Sequence, residues 1–133
     1  MILGDYIKDE NGNNHKMSGI LPFRSKKSRL SVGYRYIEGL KDTPIIKKNQ
    51  LIRGHEFHYW EIENNLFELD LLKSEHQKLS SPWKIRSWET EYKNEGFFDE
   101  KLHASWIHLH LPSSPKVAKN FIDATQISFL KDS

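Results

Sequence analysis

The sequence predicts a β-rich α+β fold or the β-rich end of a larger α/β domain, and three observations support this prediction. Segments 29–37, 51–62 and 105–111 carry the apolar, aromatic and alternating pattern of strands. The clearest helix start is near the C-terminus, where Ser114 suits the N-cap and Pro115 the first turn. The chain has 133 residues with no repeat or linker, so we expect one domain over 1–133.

The elements follow in chain order. Two strand-like runs, 17–22 and 29–37, are joined by a polar segment, 24–28, that predicts a loop. Segment 51–62 predicts a strand, and 64–79 predicts a helix or a loose excursion. A strand over 83–92, a turn at 94–96 and a last strand over 105–111 come next. The final helix has one apolar face, formed by Val117, Ala118, Phe121 and Ile122.

Composition excludes several classes of function. The chain contains no cysteine, which removes disulfides, thiolate metal sites and a cysteine nucleophile from this polypeptide. Its net charge is only +2 and the basic residues are dispersed, so we expect no nucleic-acid partner. No apolar run approaches the ~20 residues of a membrane helix, and no signal peptide begins the chain. We therefore expect a cytoplasmic protein without membrane contact.

Two strand segments carry histidines in a pattern that indicates a site. Because successive strand side chains point to opposite faces, His108 and His110 share one face with Trp106. The opposite face holds Ile107, Leu109 and Leu111 and predicts core. His55 and His58 differ by an odd number, so at most one of them faces the same pocket as His108. The remaining histidines, His15, His76 and His103, lie in polar or loop contexts and are predicted at the surface.

Five blocks resemble a known family. They are MSGILP at 17–22, RLSVGYR at 29–35, RGHEFHY at 53–59, EGF at 95–97, and SWIHLH at 105–110 followed by Ser114, Pro115, Ala118 and Phe121. In this order they resemble the C-terminal glutamine amidotransferase domain of cobyrinic acid a,c-diamide synthases, and more distantly that of cobyric acid synthases. The third and fifth blocks are the specific ones, and the blocks cover nearly the whole chain.

The resemblance implies a fold and a chemistry. The parent would be a flavodoxin-like α/β class I glutamine amidotransferase with a mixed sheet, of which this chain is a β-rich α+β C-terminal portion. In that family a cysteine attacks the amide of glutamine, a histidine is its base, and the released ammonia amidates corrin side-chain carboxylates in cobalamin biosynthesis. ATP and Mg would bind the parent's separate N-terminal domain, and this chain would hold no cofactor.

The resemblance also assigns residues. The family's catalytic base matches His108, and the neighbouring histidine of cobyrinic acid a,c-diamide synthases matches His110, a possible support where cobyric acid synthases usually have glycine. Glu56 could be the acid that orients the base. A salt bridge from Glu56 to Arg53 or Arg35 is the structural alternative, and it stays open at this point.

The chain departs from the family in one large respect. The family's nucleophile lies in a Cys-Gly-Gly elbow whose helix runs into an apolar stretch like Met1 to Gly4, so we expect the cysteine to precede Met1. We therefore expect a truncated or split domain that needs its missing N-terminal part or another chain and shows no glutaminase activity alone. A smaller departure is Trp60, where the family usually has a small residue.

Two alternatives belong to other classes. A non-enzymatic partner-binding subunit or relic would explain the missing cysteine and the apolar residues at Met1 to Leu3. A metal site would combine His108 and His110 with Glu56 and with His55 or His58. The sequence lacks the glutamate that cupin-like sites place after their paired histidines, and the spacing of His55 and His58 is not that of the helical zinc motif.

Overall fold

The structure is a computed structural model that describes residues 1–63, 79–88, 90–100 and 102–131. The strands are β1 (Tyr6–Lys8), β2 (Asn14–Lys16), β3 (Arg24–Gly39), β4 (Leu51–Ile62), β5 (Trp83–Arg86), β6 (Lys93–Glu95), β7 (Phe97–Phe98), β8 (His103–Ala104) and β9 (Ile107–His108). A 3₁₀ turn, Leu111–Ser113, precedes the helix α1, Pro115–Lys131. The fold is thus sheet-rich with one helix in the described ranges, as the sequence predicts.

The chain divides into two compact units. The first comprises Met1–Val32 with the described part of Phe57–Lys78, and the second comprises Gly33–Glu56 with the described part of Leu79–Ser133. Strands β3 and β4 are long enough to contribute residues to both. The expectation of one domain over 1–133 stays a prediction.

The first unit is built on the hairpin of β1 and β2. These strands pair antiparallel, and β1 also pairs parallel with β3 through Tyr6 and Arg24. Gly12 closes the hairpin with a φ of 86°, a conformation that glycine adopts without strain. Leu21 and Phe23 form the buried apolar centre of this unit.

The second unit holds the larger core. Residues Tyr36 to Gly39 of β3 pair antiparallel with β5, and β5 pairs antiparallel with β6. The core side chains come from several of these elements and from the segment between β3 and β4: Ile37, Ile46, Trp83, Ile85 and Ile107. The short strands β7 and β8 form a separate pair, with Phe98 opposite His103.

The predicted elements are partly confirmed. The strand over 51–62 has the predicted bounds, and the helix begins at Pro115 as expected. Only Val117 of its predicted apolar face is fully buried, whereas Phe121 and Ile122 are more than half exposed. The helix or excursion over 64–79 falls almost wholly outside the described residues. No helix of the described ranges combines the length and apolarity that crossing a membrane requires.

Three of the predicted segments before the last strand are wrong. Segment 24–28 is strand and not loop, because its polar side chains pair with acids: Lys27 with Glu10, and both Lys26 and Ser28 with Glu61. Segment 17–22 is irregular, since its amides bond to the first residues of the chain and to no regular strand. The strand from Trp83 ends at Arg86, where the chain turns before β6.

Candidate functional site

The site begins with the pairing of β4 and β9. His55 lies opposite His108, and Glu56 lies opposite Ile107, in an antiparallel register. Directly opposed residues of such a pair project to the same face with Cβ atoms about 5 Å apart. The two imidazoles therefore stand side by side on one face of the sheet.

A glycine allows this close pairing. A Cβ at Gly54 would collide with Cγ2 of Ile107 and would lie 3.2 Å from the carbonyl oxygen of His108. Any larger residue there would push β9 away from β4. The glycine inside the RGHEFHY block is thus required by packing against the strand that carries His108.

The two histidines line a groove of about 470 Å³ in the second unit. Its walls combine aromatic, basic and imidazole side chains with two small residues: Tyr34, Arg35, Tyr36, Arg53, Gly54, His55, His108, His110 and Ser113. The ring of Tyr34 meets the ring of His55 edge-on at 5.5 Å. The predicted polar face of the last strand is confirmed, since His108 and His110 are exposed and Ile107 is buried.

The segment after His110 departs from the predicted strand. The carbonyl oxygen of His110 accepts hydrogen bonds from the amide of Ser113 at 3.0 Å and from its hydroxyl at 2.8 Å. These bonds close the 3₁₀ turn, so regular pairing ends at His108 and Leu111 is 48% exposed instead of core. The turn also fixes the position of His110 at the rim of the groove.

Glu56 lies on the other side of β4 from His55. Its Oε2 accepts a hydrogen bond from Nε of Arg35 at 2.6 Å, and the pair is largely buried. The structural alternative, a salt bridge to Arg35, is therefore present, while the guanidinium carbon of Arg53 lies over the ring of Tyr36. The role of Glu56 as an orienting acid stays a prediction.

Sequence reasoning missed Glu95, a buried carboxylate that anchors the segment before β9. Its Oε2 accepts hydrogen bonds from Trp83 Nε1 at 2.5 Å and from the hydroxyl of Ser105 at 2.7 Å. Its Oε1 accepts the amide of Trp106 at 3.0 Å. Burial raises the pKa of Glu95, although these three donors favour its charged form. Its place in the EGF block was the only available signal.

The prediction that His103 is a surface residue is wrong. Both of its ring nitrogens are buried without a hydrogen-bond partner among the described residues. The ring lies 4.6 Å from that of Trp83 and 5.9 Å from that of Phe98. Burial lowers the pKa of His103 from 6.5 to about 4. The strand pairing that buries it joins residues whose contact the local sequence does not show.

The remaining histidines have separate surroundings. His15 is exposed as predicted, and Nε2 lies 2.8 Å from Oδ2 of Asp9. That hydrogen bond is the main reason why the pKa of Asp9 is lowered to about 2. The ring of His58 accepts the amide of Trp60 at 3.4 Å in the first unit. His76 lies outside the described residues.

The described residues contain no group of three or more His, Cys, Asp or Glu side chains that could hold a metal ion. The paired imidazoles of His55 and His108 thus lack a third ligand of the predicted kind in this part of the structure. The arrangement gives the metal-binding alternative no geometric support.

A groove built on a histidine that ends a strand, just before a C-terminal helix, is what the resemblance leads us to expect of a triad-type glutaminase. The chain belongs to the family of CobB/CobQ-like glutamine amidotransferase domains, whose model matches residues 1–116. The match includes β9 with His108, and also His110.

Individual relatives are more specific. The chain is 29% identical over 131 residues to the cobyrinate a,c-diamide synthase of Syntrophotalea carbinolica, covering 92% of this chain and 26% of the relative. It is 28% identical over 129 residues to the cobyrinate a,c-diamide synthase of a Synechococcus species, and the match covers 95% of this chain and 25% of that relative. A hydrogenobyrinate a,c-diamide synthase of Streptomyces coelicolor is 29% identical over 113 residues, with 84% and 21% covered. The chain spans about a quarter of the length of these relatives.

Proposed function

We propose that this chain is the histidine-bearing portion of a glutamine amidotransferase domain in an enzyme of the cobyrinate a,c-diamide synthase type. The observation that carries the proposal is His108: it lies exposed in a groove, opposite His55, within the region that matches the family. No described residue hydrogen-bonds its ring. Both ring nitrogens are thus available to a reacting group.

The chemistry that this geometry supports is thiol activation. His108 accepts the proton of a cysteine thiol, and the thiolate attacks the side-chain amide carbon of glutamine. The imidazolium then returns the proton to the leaving ammonia, and water hydrolyses the thioester to glutamate and free thiol. The chain contains no cysteine, so the thiol comes from a segment outside these 133 residues, on the same polypeptide or on another chain. His110 supports the base, and Glu56 holds Arg35 in the wall of the groove through their ion pair.

The destination of the ammonia follows from the relatives. Their names describe synthases of cobyrinate and hydrogenobyrinate a,c-diamides, which form two amides. We infer that the parent enzyme delivers ammonia to side-chain carboxylates of a corrin. ATP and Mg would activate those carboxylates in a separate domain, and the flavodoxin-like α/β fold would be completed by residues outside this chain.

A chimera tests the role of His108. The matched region of the Syntrophotalea carbinolica relative is replaced by this chain, and glutamate release from glutamine is measured. We expect His108→Asn to lower kcat by about 10³-fold or more, because loss of a triad member removes most of the nucleophile's activation. His15→Asn, at an exposed histidine of the other unit, is the matched control and should retain activity. Equal activity of the His108→Asn and parent chimeras would remove the assignment.

The chain alone should not turn over glutamine. The purified 133-residue protein has a base without a nucleophile, so ammonia release should match that of buffer. Steady glutamate production by the chain, undiminished in His108→Asn, would show that another group does the chemistry.

One observation favours a second candidate function, partner binding. In the first unit the hydroxyl of Ser28 on β3 donates a hydrogen bond to the carboxylate of Glu61 on β4. These two side chains therefore lie on the same face of the two strands. Alternation then places Leu30 and Val32 beside Phe57 and Tyr59 on that face. These four side chains are 42%, 48%, 52% and 45% exposed.

Such an apolar face is suited to another polypeptide. Size-exclusion chromatography distinguishes the possibilities. A partner-binding surface should make the isolated chain self-associate, and Val32→Lys should reduce that association. A wild-type chain that elutes as a monomer at high concentration would argue against this second function.

A further inference from the structure

Two arginines of the second unit flank one tyrosine. The guanidinium carbon of Arg53 lies 5.2 Å from the ring centroid of Tyr36, and that of Arg86 lies at the same distance. Tyr36 and Arg86 are directly opposed on β3 and β5. Arg53 is two residues from His55 on β4, so both share the face of the strand that lines the groove.

Both guanidinium groups lack a carboxylate partner in the described part of the chain. Arg35 pairs with Glu56 and Lys84 pairs with Glu38, but no such pair involves Arg53 or Arg86. Nε of Arg86 is buried without a hydrogen-bond partner among the described residues, and Nη1 donates a long hydrogen bond of 3.4 Å to the carbonyl oxygen of Trp88. Arg53 thus retains its hydrogen-bond donors at an exposed position, and Arg86 retains a buried Nε donor.

The contact with the ring of Tyr36 explains how these donors stay available to a ligand. A guanidinium that lies against an aromatic ring uses its face for that contact, while its N–H groups project in the plane of the group. The planar fork matches a carboxylate in a bidentate geometry. Because Tyr36 already restricts both arginines, a ligand would lose less side-chain entropy on binding than it would at a free arginine.

The groove's charge agrees with an anionic ligand. None of the described residues that line it is acidic. Of its two arginines, Arg35 pairs with Glu56, so Arg53 is the lining cation without a carboxylate partner in the described part of the chain. A cleft lined by one sign of charge attracts the opposite one.

We propose that Arg53, backed by Arg86 across the ring of Tyr36, forms a carboxylate-binding subsite of the histidine groove. The proposal rests on the proposed function, in which glutamine and the acceptor both carry carboxylates. Arg53 and His55 are two strand positions apart, about 7 Å. Extended glutamine spans about 5 Å from its α-carboxylate carbon to its amide carbon. A carboxylate held at Arg53 therefore places the other end of such a ligand beside the imidazoles of His55 and His108.

Binding to the full 133-residue chain tests the subsite without any turnover. Amide chemical shifts are followed during titration with L-glutamine, with L-glutaminamide, whose carboxylate is replaced by a neutral amide, and with propane-1,2,3-tricarboxylate. We expect at least one carboxylate to bind with a Kd of about 10 mM or lower. Arg53→Gln should weaken it at least about tenfold, and Arg86→Gln should weaken it less.

The controls separate charge from shape. Lys116→Gln removes one charge from an exposed position on α1 and should leave the Kd unchanged. Arg53→Lys keeps the charge but loses the fork, so it should bind nearly as weakly as Arg53→Gln. Because Arg53 is exposed, these variants should fold, and the dispersion of the same spectra verifies it.

The outcomes assign the source of the carboxylate. If glutamine binds tightly and glutaminamide binds weakly, the subsite holds the α-carboxylate of glutamine. If the tricarboxylate binds tightly and glutamine and glutaminamide bind equally weakly, the subsite holds a carboxylate of the acceptor. An unchanged Kd in Arg53→Gln, or no carboxylate binding at all, overturns the subsite. This assay measures binding without turnover, whereas the chimera measures turnover in His108→Asn, so the subsite stands or falls separately from the role of His108 as base.

Discussion

Acid should destabilise this protein through one buried ring, that of His103. The folded state holds the pKa of His103 at about 4, compared with 6.5 for an unburied histidine, because burial opposes the charged form. Between these two values the unfolded chain binds more protons than the folded chain. The free energy of unfolding therefore falls as the pH drops below about 6.5. The part of this fall that His103 causes is complete below about pH 4.

The size of the effect follows from the shift. Each pKa unit corresponds to about 1.4 kcal/mol, so His103 should remove about 2 kcal/mol of stability between pH 7 and pH 5. Glu95 acts in the opposite direction, because burial raises its pKa and the folded state then gains from its protonation. Replacing only His103 isolates the histidine contribution.

His103→Phe is the informative substitution. Phenylalanine keeps an aromatic ring against Trp83 and Phe98 and removes both unpartnered nitrogens. Urea unfolding, followed by tryptophan fluorescence, should show that the variant gains about 2 kcal/mol relative to wild type as the pH changes from 7 to 5.

His15→Gln is the control for this experiment. The ring of His15 is exposed and its ion pair with Asp9 lies at the surface, so His15→Gln should change the difference in stability between pH 7 and pH 5 much less than His103→Phe does. A stability difference between wild type and His103→Phe that stays constant from pH 7 to pH 5 would refute the reasoning. An NMR titration in which His103 protonates near pH 6.5 would do the same.

Two further substitutions test the packing beneath the groove, both by urea unfolding. Glu56→Leu removes the carboxylate that pairs with the guanidinium of Arg35 and should cost about 3 kcal/mol. The double variant with Arg35→Met should recover most of that loss, and a double variant as unstable as the single one would show that the pair itself is not responsible. Gly54→Ala adds a methyl group that collides with Ile107 and should cost about 2 kcal/mol or more. Gly12→Ala meets no atom within 4 Å and should cost about 1 kcal/mol through its positive φ, so equal losses in the two glycine variants would contradict the packing explanation.

Local signals predicted the parts of the fold that local physics determines. The Ser-Ser-Pro start of α1 and the strand over 51–62 were predictable because capping and alternation act within a few residues. Alternation also placed His108 on the exposed face and Ile107 in the core. The role expected of His108 itself came from the resemblance and not from these patterns.

Other features depend on contacts between distant residues. The composition of segment 24–28 predicts a polar loop, and only the structure shows Glu10 and Glu61 beside its lysines. His103 reads as a surface residue until β7 and β8 bring it beside Phe98. Glu10, Glu61 and the Trp83 ring that lies against His103 are far in sequence from the side chains they contact, and β7 and β8 have only two residues each, so periodicity and composition could not reveal these contacts.

The position of His108 depends on anchors outside its own strand. The strand β9 contains only two residues, too few to hold a catalytic base firmly by pairing alone. Before it, Glu95 binds Ser105 and the amide of Trp106, and after it the 3₁₀ turn ties His110 to Ser113. A base must be held within a fraction of an ångström to act on a thiol, and a short strand fixed at both ends meets that need. The buried carboxylate that sequence reasoning missed is therefore part of what positions His108, the histidine that we propose as the base.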